Sequence, residues 1–258
     1  MTYNILAIGD IHGRNDWRDI VDYYMSNNKI DRIVFLGDYV DSFDITPDEQ
    51  LRNLRNLINF KIQNKDLVEL LIGNHDLHYM VTDDLVDNVK CTGFNNLWYK
   101  TFHKIFNSYK DYFNISYQYK NWLFTHAGIH RGWYTFRFKD FILEGETITE
   151  ALNREFKLNN PVLFDCGFRR GGREKVGGPL WADKSETIKK PLIGYHQVVG
   201  HTAIKDIKTF TKGTDTSIVY IDNQDIETDL TKKGLLIKIK NEKLWENPKI
   251  KITKKSLF

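Results

Sequence analysis

The sequence predicts an α/β protein whose strands run into one shared polar crevice. Two observations carry the prediction. Five short apolar runs, at residues 3–8, 32–36, 67–72, 122–125 and 196–199, each lead straight into a cluster that combines Gly with Asp, His or Asn. Stretches with helical spacing, at residues 17–25 and 48–62, lie between them. Short apolar runs bounded by Gly and turn residues suit strands covered on both faces. In open α/β sheets the carboxyl ends of the strands border the crevice in which ligands bind, so five polar strand ends can converge on one pocket.

The elements follow in order. The first run ends in Gly9-Asp10-Ile11-His12-Gly13 and precedes the 17–25 helix. The second ends in Gly37-Asp38-Tyr39-Val40-Asp41. Thr46-Pro47-Asp48-Glu49 then marks a helix start, with Thr46 as cap and Pro47 in the first turn. The third run ends in Gly73-Asn74-His75-Asp76, where Asp76 suits the N-terminus of a new helix. Residues 95–113 form an aromatic-rich helical region expected to cover one side of the sheet. The fourth run ends in His126-Ala127-Gly128, residues 148–156 read as helix, and the fifth ends in Gly200-His201-Thr202. Residues 217–222 and 234–239 read as strands of a second sheet. No internal repeat or low-complexity linker divides the chain, so one domain over residues 1–258 is expected.

The residue types at the strand ends point to bound metal. Imidazole, carboxylate and amide oxygen without thiolate favour Mn, Fe, Zn or Ni. In Asp10-x-His12 the period of two puts both side chains on one side of extended chain. Asp38 has two oxygens and can bridge, and neutral Asn74 limits the negative charge around a centre that must attract a phosphate. Two ions about 3.5–4 Å apart would clamp an in-line displacement and provide a hydroxide nucleophile near neutral pH. His75 is the candidate proton donor to the leaving alkoxide, with Asp41 the favoured partner for its ring and Asp76 the alternative. His78, His103, His130 and His196 match no ligand position and are read as structural, with a hydrogen bond that orients His201 the alternative for His196.

In order and spacing these motifs resemble those of the calcineurin-like metallophosphoesterases, in the branch that holds serine/threonine phosphoprotein phosphatases and symmetrical diadenosine tetraphosphatases. The resemblance runs over most of the chain. It implies a four-layer α-β-β-α sandwich, two mixed sheets packed face to face with helices outside. It also implies Asp10, His12 and Asp38 on one ion, Asp38, Asn74, His126 and His201 on the other, His75 as proton donor and Asp41 as its partner. Asn74 would lie close enough to touch substrate as well. Mn is the expected metal, with Fe, Zn or Ni compatible.

Two departures from the family pattern bear on substrate. Where the family continues from the aspartate into a phosphate-gripping Arg, this chain reads Asp41-Ser42-Phe43, and a serine cannot replace a bidentate guanidinium. Arg14, Arg131 and the cluster Arg169, Arg170 and Arg173 are candidates to supply the missing cation. The last motif, Gly200-His201-Thr202-Ala203, lacks the second His of the family's nucleases, which favours a phosphomonoesterase or a dinucleoside polyphosphate hydrolase. The aromatics Trp133, Tyr134, Phe136, Phe138 and Phe141 can stack on a base, but packing is the favoured reading. A protein that binds phosphate compounds without turnover is a third possibility, opposed by the complete ligand set.

Composition fits a cytoplasmic enzyme acting on a phosphorylated protein or a nucleotide. The 258 residues are 41% hydrophobic and 28% charged with a net charge of +3, enough for a core and too little charge for a nucleic-acid binder. No run suits a membrane span or a signal peptide. Cys91 and Cys166 fit neither a zinc pattern nor a disulfide framework. The locally basic 249–255 stretch reads as a solvated end, and the oligomeric state is not legible.

Overall fold

Alternation along the first strand sets up both layers of the core. In β1 (Thr2–Ile8), Ile5 and Ala7 face one way and Leu6 and Ile8 the other, the period of two that a pleated strand imposes. Ile5 and Ala7 pack with Val34, Leu36 and Leu71 of their own sheet and with Phe124, Val198, Val219 and Ile221 of a second sheet. Leu6 and Ile8 join Trp17, Ile20, Leu54 and Leu57 beneath the outer helices. The result is two sheets face to face with helices on the outside. The structure, a computed structural model, describes residues 2–82, 89, 91–223 and 234–240.

The first sheet has the order β10-β1-β2-β3-β4, with β2 (Arg32–Phe35), β3 (Val68–Leu71) and β4 (Phe113–Asn114) parallel to β1 and β10 (Gly234–Lys240) antiparallel. The second has the order β5-β6-β7-β9-β8. Its β6 (Trp122–Thr125), β7 (His196–Val199) and β9 (Ser217–Tyr220) are parallel, flanked by antiparallel β5 (Ser116–Tyr119) and β8 (Lys208–Thr211). Both sheets are therefore mixed, and all five motif-bearing strands end at the same edge of the sandwich.

Helices form where the sequence signals them. In α2 (Pro47–Gln63) the Thr46 hydroxyl accepts from the Glu49 amide while the Glu49 carboxylate accepts from the Thr46 amide, a complete capping box. Its buried face, Leu51, Leu54, Leu57 and Ile58, keeps the helical spacing seen in the sequence. α1 (Trp17–Asn27) buries Trp17, Ile20, Val21 and Tyr24 on the same side of the sheet. α3 (Asn74–Met80) starts inside the third motif, and α4 (Tyr99–Ser108) lays Phe102 and Phe106 against it. α5 (Arg131–Trp133), α6 (Ile148–Lys157) and α7 (Lys184–Lys189) complete the outer layer, and no helix among the described residues is long and apolar enough to cross a membrane.

Two expectations need correction. The 95–113 region is helical only at Tyr99–Ser108 and in a turn at Lys110–Tyr112. Asn95 Oδ1 accepts from the Leu97 amide to make a turn before the helix, and buried Phe113 is an edge strand beside Leu70. Residues 234–239 join the first sheet, not the second: β10 pairs with the whole of β1, and the Tyr24 hydroxyl donates to the Gly234 carbonyl. An alternating strand carries the same pattern on either sheet, so hydropathy alone does not assign it. The 249–255 stretch lies outside the described residues.

His130 introduces α5 in a way that makes a pH prediction. Its Nδ1 accepts from the Gly132 and Trp133 amides, so the ring acts as a neutral cap. Burial, with Lys190 and Arg131 nearby, pulls its pKa down to about 4. The unfolded ring takes up a proton near pH ~6.5, so this stabilisation is complete above that value and is lost as the pH falls towards the folded pKa. Acidification from pH 7.5 to 4.5 should cost up to about 3 kcal/mol more in this protein than in His130→Gln. Urea denaturation of both at each pH measures the difference; parallel losses would show that His130 does not titrate on unfolding.

Candidate metal centre

Close backbone approach builds the site. A Cβ on Gly73 would overlap the Asp38 carboxylate, and one on Gly200 would overlap Asp10 Oδ1. These glycines let each carboxylate lie against the neighbouring strand end, beyond the ordinary work of closing a strand. Asp38 Oδ1 accepts from the His75 amide at 2.9 Å, and Asp10 accepts from the His201 amide at 3.0 Å. Four motif residues sit at positive φ: His12 at 43°, Asp38 at 51°, Asp41 at 63° and His201 at 62°. For non-glycine residues this conformation is strained and persists only where surrounding structure imposes it.

The side chains form two clusters that share Asp38. Ligand atoms of Asp10, His12 and Asp38 lie within 4.8 Å of one another, as do those of Asp38, His126 and His201. His12 Nδ1 donates to the Val40 carbonyl at 3.0 Å and His126 Nδ1 to the Leu36 carbonyl at 2.8 Å. Each bond fixes the ring so that Nε2 turns inward, the orientation seen in metal-ligating histidines. His126 Nε2 lies 2.8 Å from Asn74 Oδ1, 3.0 Å from His201 Nδ1 and 3.3 Å from Asp38 Oδ2.

The chemistry of this donor set fits a cation. Acceptor atoms crowd one point, and the buried His201 Nε2 has no hydrogen-bond partner. Burial pushes His126 down, but Asp38 and Asp10 outweigh it and bring the ring to about 9, a proton standing where positive charge is needed. Burial likewise pushes Asp38 up, while His126 and His75 hold it well below the usual carboxylate range. Asp10 is raised by its own burial, by Asp222 and by Asp38. Divalent ions held by carboxylate, imidazole and amide oxygen would relieve each of these conflicts.

Beside the clusters, Asp41 gathers three side chains. His75 Nδ1 donates to Asp41 Oδ2 at 3.0 Å and the Tyr79 hydroxyl to Oδ1 at 2.7 Å. His78 Nε2 makes a 2.8 Å ion-pair contact with Oδ2. Burial lowers His75, but Asp38 and Asp41 outweigh it and raise the ring to about 12, and its ring lies edge-on to His12 at 5.1 Å. Asp76 instead accepts from the Gly73 and Tyr39 amides, as a helix-start carboxylate should. His78, read from sequence as structural, is fully buried one turn after His75 on α3 and backs Asp41 from that side. Asp222, buried at the end of β9, and Cys91, whose Sγ lies 3.4 Å from Asn74 Nδ2, are further members that spacing did not reveal.

The candidate phosphate-binding residues separate. Ser42 faces its own turn, accepting from the Asp44 and Ile45 amides. Arg14 reaches the Asp10 carbonyl at 3.4 Å. Arg170 donates to the Thr202 hydroxyl at 2.6 Å and lies 3.2 Å from Asp183, which ties it to the fifth motif. Arg131, Arg169 and Arg173 are exposed. Arg170, Arg173, Phe164, Trp181 and Cys91 line a cavity of about 750 Å³, and the Trp181 ring stands 6.1 Å from that of His201. Of the aromatics expected to pack, Trp133 and Phe138 are fully buried, whereas Phe136 is 84% exposed. His196 pairs with the Ser217 hydroxyl at 2.8 Å.

Among solved structures, the chain resembles a protein serine/threonine phosphatase from Saccharomyces cerevisiae described as similar to human phosphatase PP5. The identity is 14%, covering 96% of this chain and 82% of that one, with a TM-score of 0.47. It also resembles a metallophosphoesterase from Sphaerobacter thermophilus at 12% identity, covering 92% and 88%, with a TM-score of 0.35. A comparison with curated proteins gives no match. The family model described as calcineurin-like phosphoesterase matches residues 3–251, and the chain, with its two acid–imidazole clusters, belongs to that family of metal-dependent phosphoesterases.

Proposed function

We propose that the protein is a phosphomonoesterase, acting on phosphoserine or phosphothreonine in proteins or on small phosphate monoesters. The supporting observation is the juxtaposition of the two clusters with the His75–Asp41 pair on one rim. Asp10, His12 and Asp38 would hold one ion, and Asp38, Asn74, His126 and His201 the other, with Mn²⁺ the favoured metal and Fe, Zn or Ni compatible. When bound, such a pair supplies Lewis acidity to phosphoryl oxygens and brings water towards deprotonation at neutral pH.

The chain's own groups then divide the work. His75 carries a proton that Asp41 holds and orients, and it delivers that proton to the leaving alkoxide. Asn74 adds a neutral amide at the phosphate, and Arg170 takes the place of the cation missing at Ser42. Arg14 is a subordinate candidate because its bond to the first motif, at the Asp10 carbonyl, is long at 3.4 Å, and Arg169 and Arg173 because they are exposed. Arg170→Ala should raise KM by roughly tenfold with kcat within a factor of about three, as loss of a binding contact does. An unchanged KM would move the phosphate contact elsewhere.

A second reading, hydrolysis of diadenosine tetraphosphate or related nucleotides, is favoured by the cavity of about 750 Å³ with its arginines and Trp181. One competition reaction decides between them. The protein with Mn²⁺ is offered a phosphothreonine peptide and diadenosine tetraphosphate, and the products are separated by chromatography. Free phosphate from the peptide supports the phosphomonoesterase. ADP as main product supports the nucleotide hydrolase, and no consumption by metal-loaded protein would favour a binding role.

A further inference from the structure

The Asp41 carboxylate gathers a phenol hydroxyl and two ring nitrogens in one buried spot. Oδ1 is taken by Tyr79 at 2.7 Å, while His75 at 3.0 Å and His78 at 2.8 Å converge on Oδ2. His78 is fully buried, yet its Nε2 makes no directed hydrogen bond. Cys91 Sγ closes the group, 3.5 Å from His78 Nδ1, and ligand atoms of Asp41, His75 and Cys91 all lie within 4.8 Å of one another. His78 Nε2 faces Asp41 while its Nδ1 faces Cys91, so the ring backs the group without pointing one nitrogen at all of it.

We propose that Asp41, His75 and Cys91 form a third cation site, selective for a borderline, thiophilic divalent ion such as Zn²⁺, and that filling it silences the enzyme. One thiolate, one imidazole and one carboxylate are ligand types that zinc takes, and the three leave a fourth position open to water or substrate. Softness separates this site from the dinuclear centre, whose six ligand residues include no cysteine, so Mn²⁺ prefers the centre and a thiophilic ion prefers the third site. His75 and His78 stand one turn apart on α3, which presents both rings on one face. An entry path exists, because Cys91 also lines the cavity of about 750 Å³. Binding releases the Cys91 thiol proton and the His75 Nδ1 proton to solvent as the two ligand–ion bonds form. An ion between them breaks the Nδ1 bond to Asp41, and the ring loses the carboxylate that holds and orients it for proton delivery. The silencing therefore rests on His75 being the proton donor; the binding does not.

Cobalt provides a test independent of activity. The protein loaded with two equivalents of Mn²⁺ is titrated with Co²⁺ and the near-ultraviolet sulfur-to-cobalt charge-transfer band is recorded. One equivalent should produce the band in the native chain and in Cys166→Ser, none in Cys91→Ser, and Zn²⁺ should bleach it. In parallel, Zn²⁺ should lower turnover of an alkyl phosphate by roughly 10²-fold, the scale of a lost proton transfer. In Cys91→Ser the Zn²⁺ concentration needed should rise at least about tenfold, whatever the variant's basal rate. Absence of the band, or its survival in Cys91→Ser, overturns the site. A Cys91-dependent band that leaves alkyl phosphate turnover unchanged overturns the silencing while the cation site stands, and the leaving-group gradient in His75→Asn tests the donor role separately.

Discussion

Asp38→Asn is expected to lower kcat/KM by on the order of 10³-fold or more, about 4 kcal/mol of transition-state stabilisation. Asp38 is the residue shared by both ligand clusters, 2% exposed, with Oδ1 committed to the His75 amide and Oδ2 lying 3.3 Å from His126 Nε2 and 3.9 Å from His12 Nε2. An amide in its place keeps the volume and tolerates the positive φ of 51°. It removes the negative charge and offers a single oxygen, so neither bridging nor charge balance survives. Circular dichroism should therefore look native while elemental analysis shows less than two ions per chain. A variant that keeps two ions and stays within about tenfold of the parent rate would remove Asp38 from the bridging position.

His75→Asn should act differently, sparing metal content and reducing turnover according to the leaving group. An alkyl phosphate expels a strongly basic alkoxide, and losing a positioned proton there costs about 10² to 10⁴ in rate. An aryl phosphate such as p-nitrophenyl phosphate expels a stable anion and should lose far less. The donor reading requires this gradient, because Asp38, Asp41 and Cys91 outweigh the ring's burial, raise it to about 12 and keep the proton in place through neutral pH. Asp41→Asn should give a weaker copy of the same pattern. Equal losses for both substrates, with two ions still bound, would make His75 a binding residue and leave protonation to solvent.

The candidate metal ligands were legible because each lies close after a strand, all but His126 beside a glycine, so chain-local spacing carried the geometry. The strand-end glycines also had a second purpose that spacing could not express: Gly73 and Gly200 exist for carboxylates that arrive from Asp38 and Asp10, far away in sequence. His78, Cys91 and Asp222 escaped for the same reason, since their partners Asp41, Asn74 and Asp10 come from other segments. Of three neighbouring arginines, the loop that carries them gave no period by which to tell that Arg170 alone meets Thr202. The sheet membership of β10 was hidden because alternation reports which face is buried and not which sheet buries it.

Strain at the rim of the sandwich also bears on how such a chain changes over generations. His12, Asp38, Asp41 and His201 hold backbone angles that L-residues adopt at a cost of about 1–2 kcal/mol each. Glycine at any of the four would relax the backbone while deleting a candidate ligand or the partner of the proposed proton donor. Drift under demand for folding alone would therefore lead away from catalysis, and a lineage that keeps all four side chains is one in which turnover is under continuous selection.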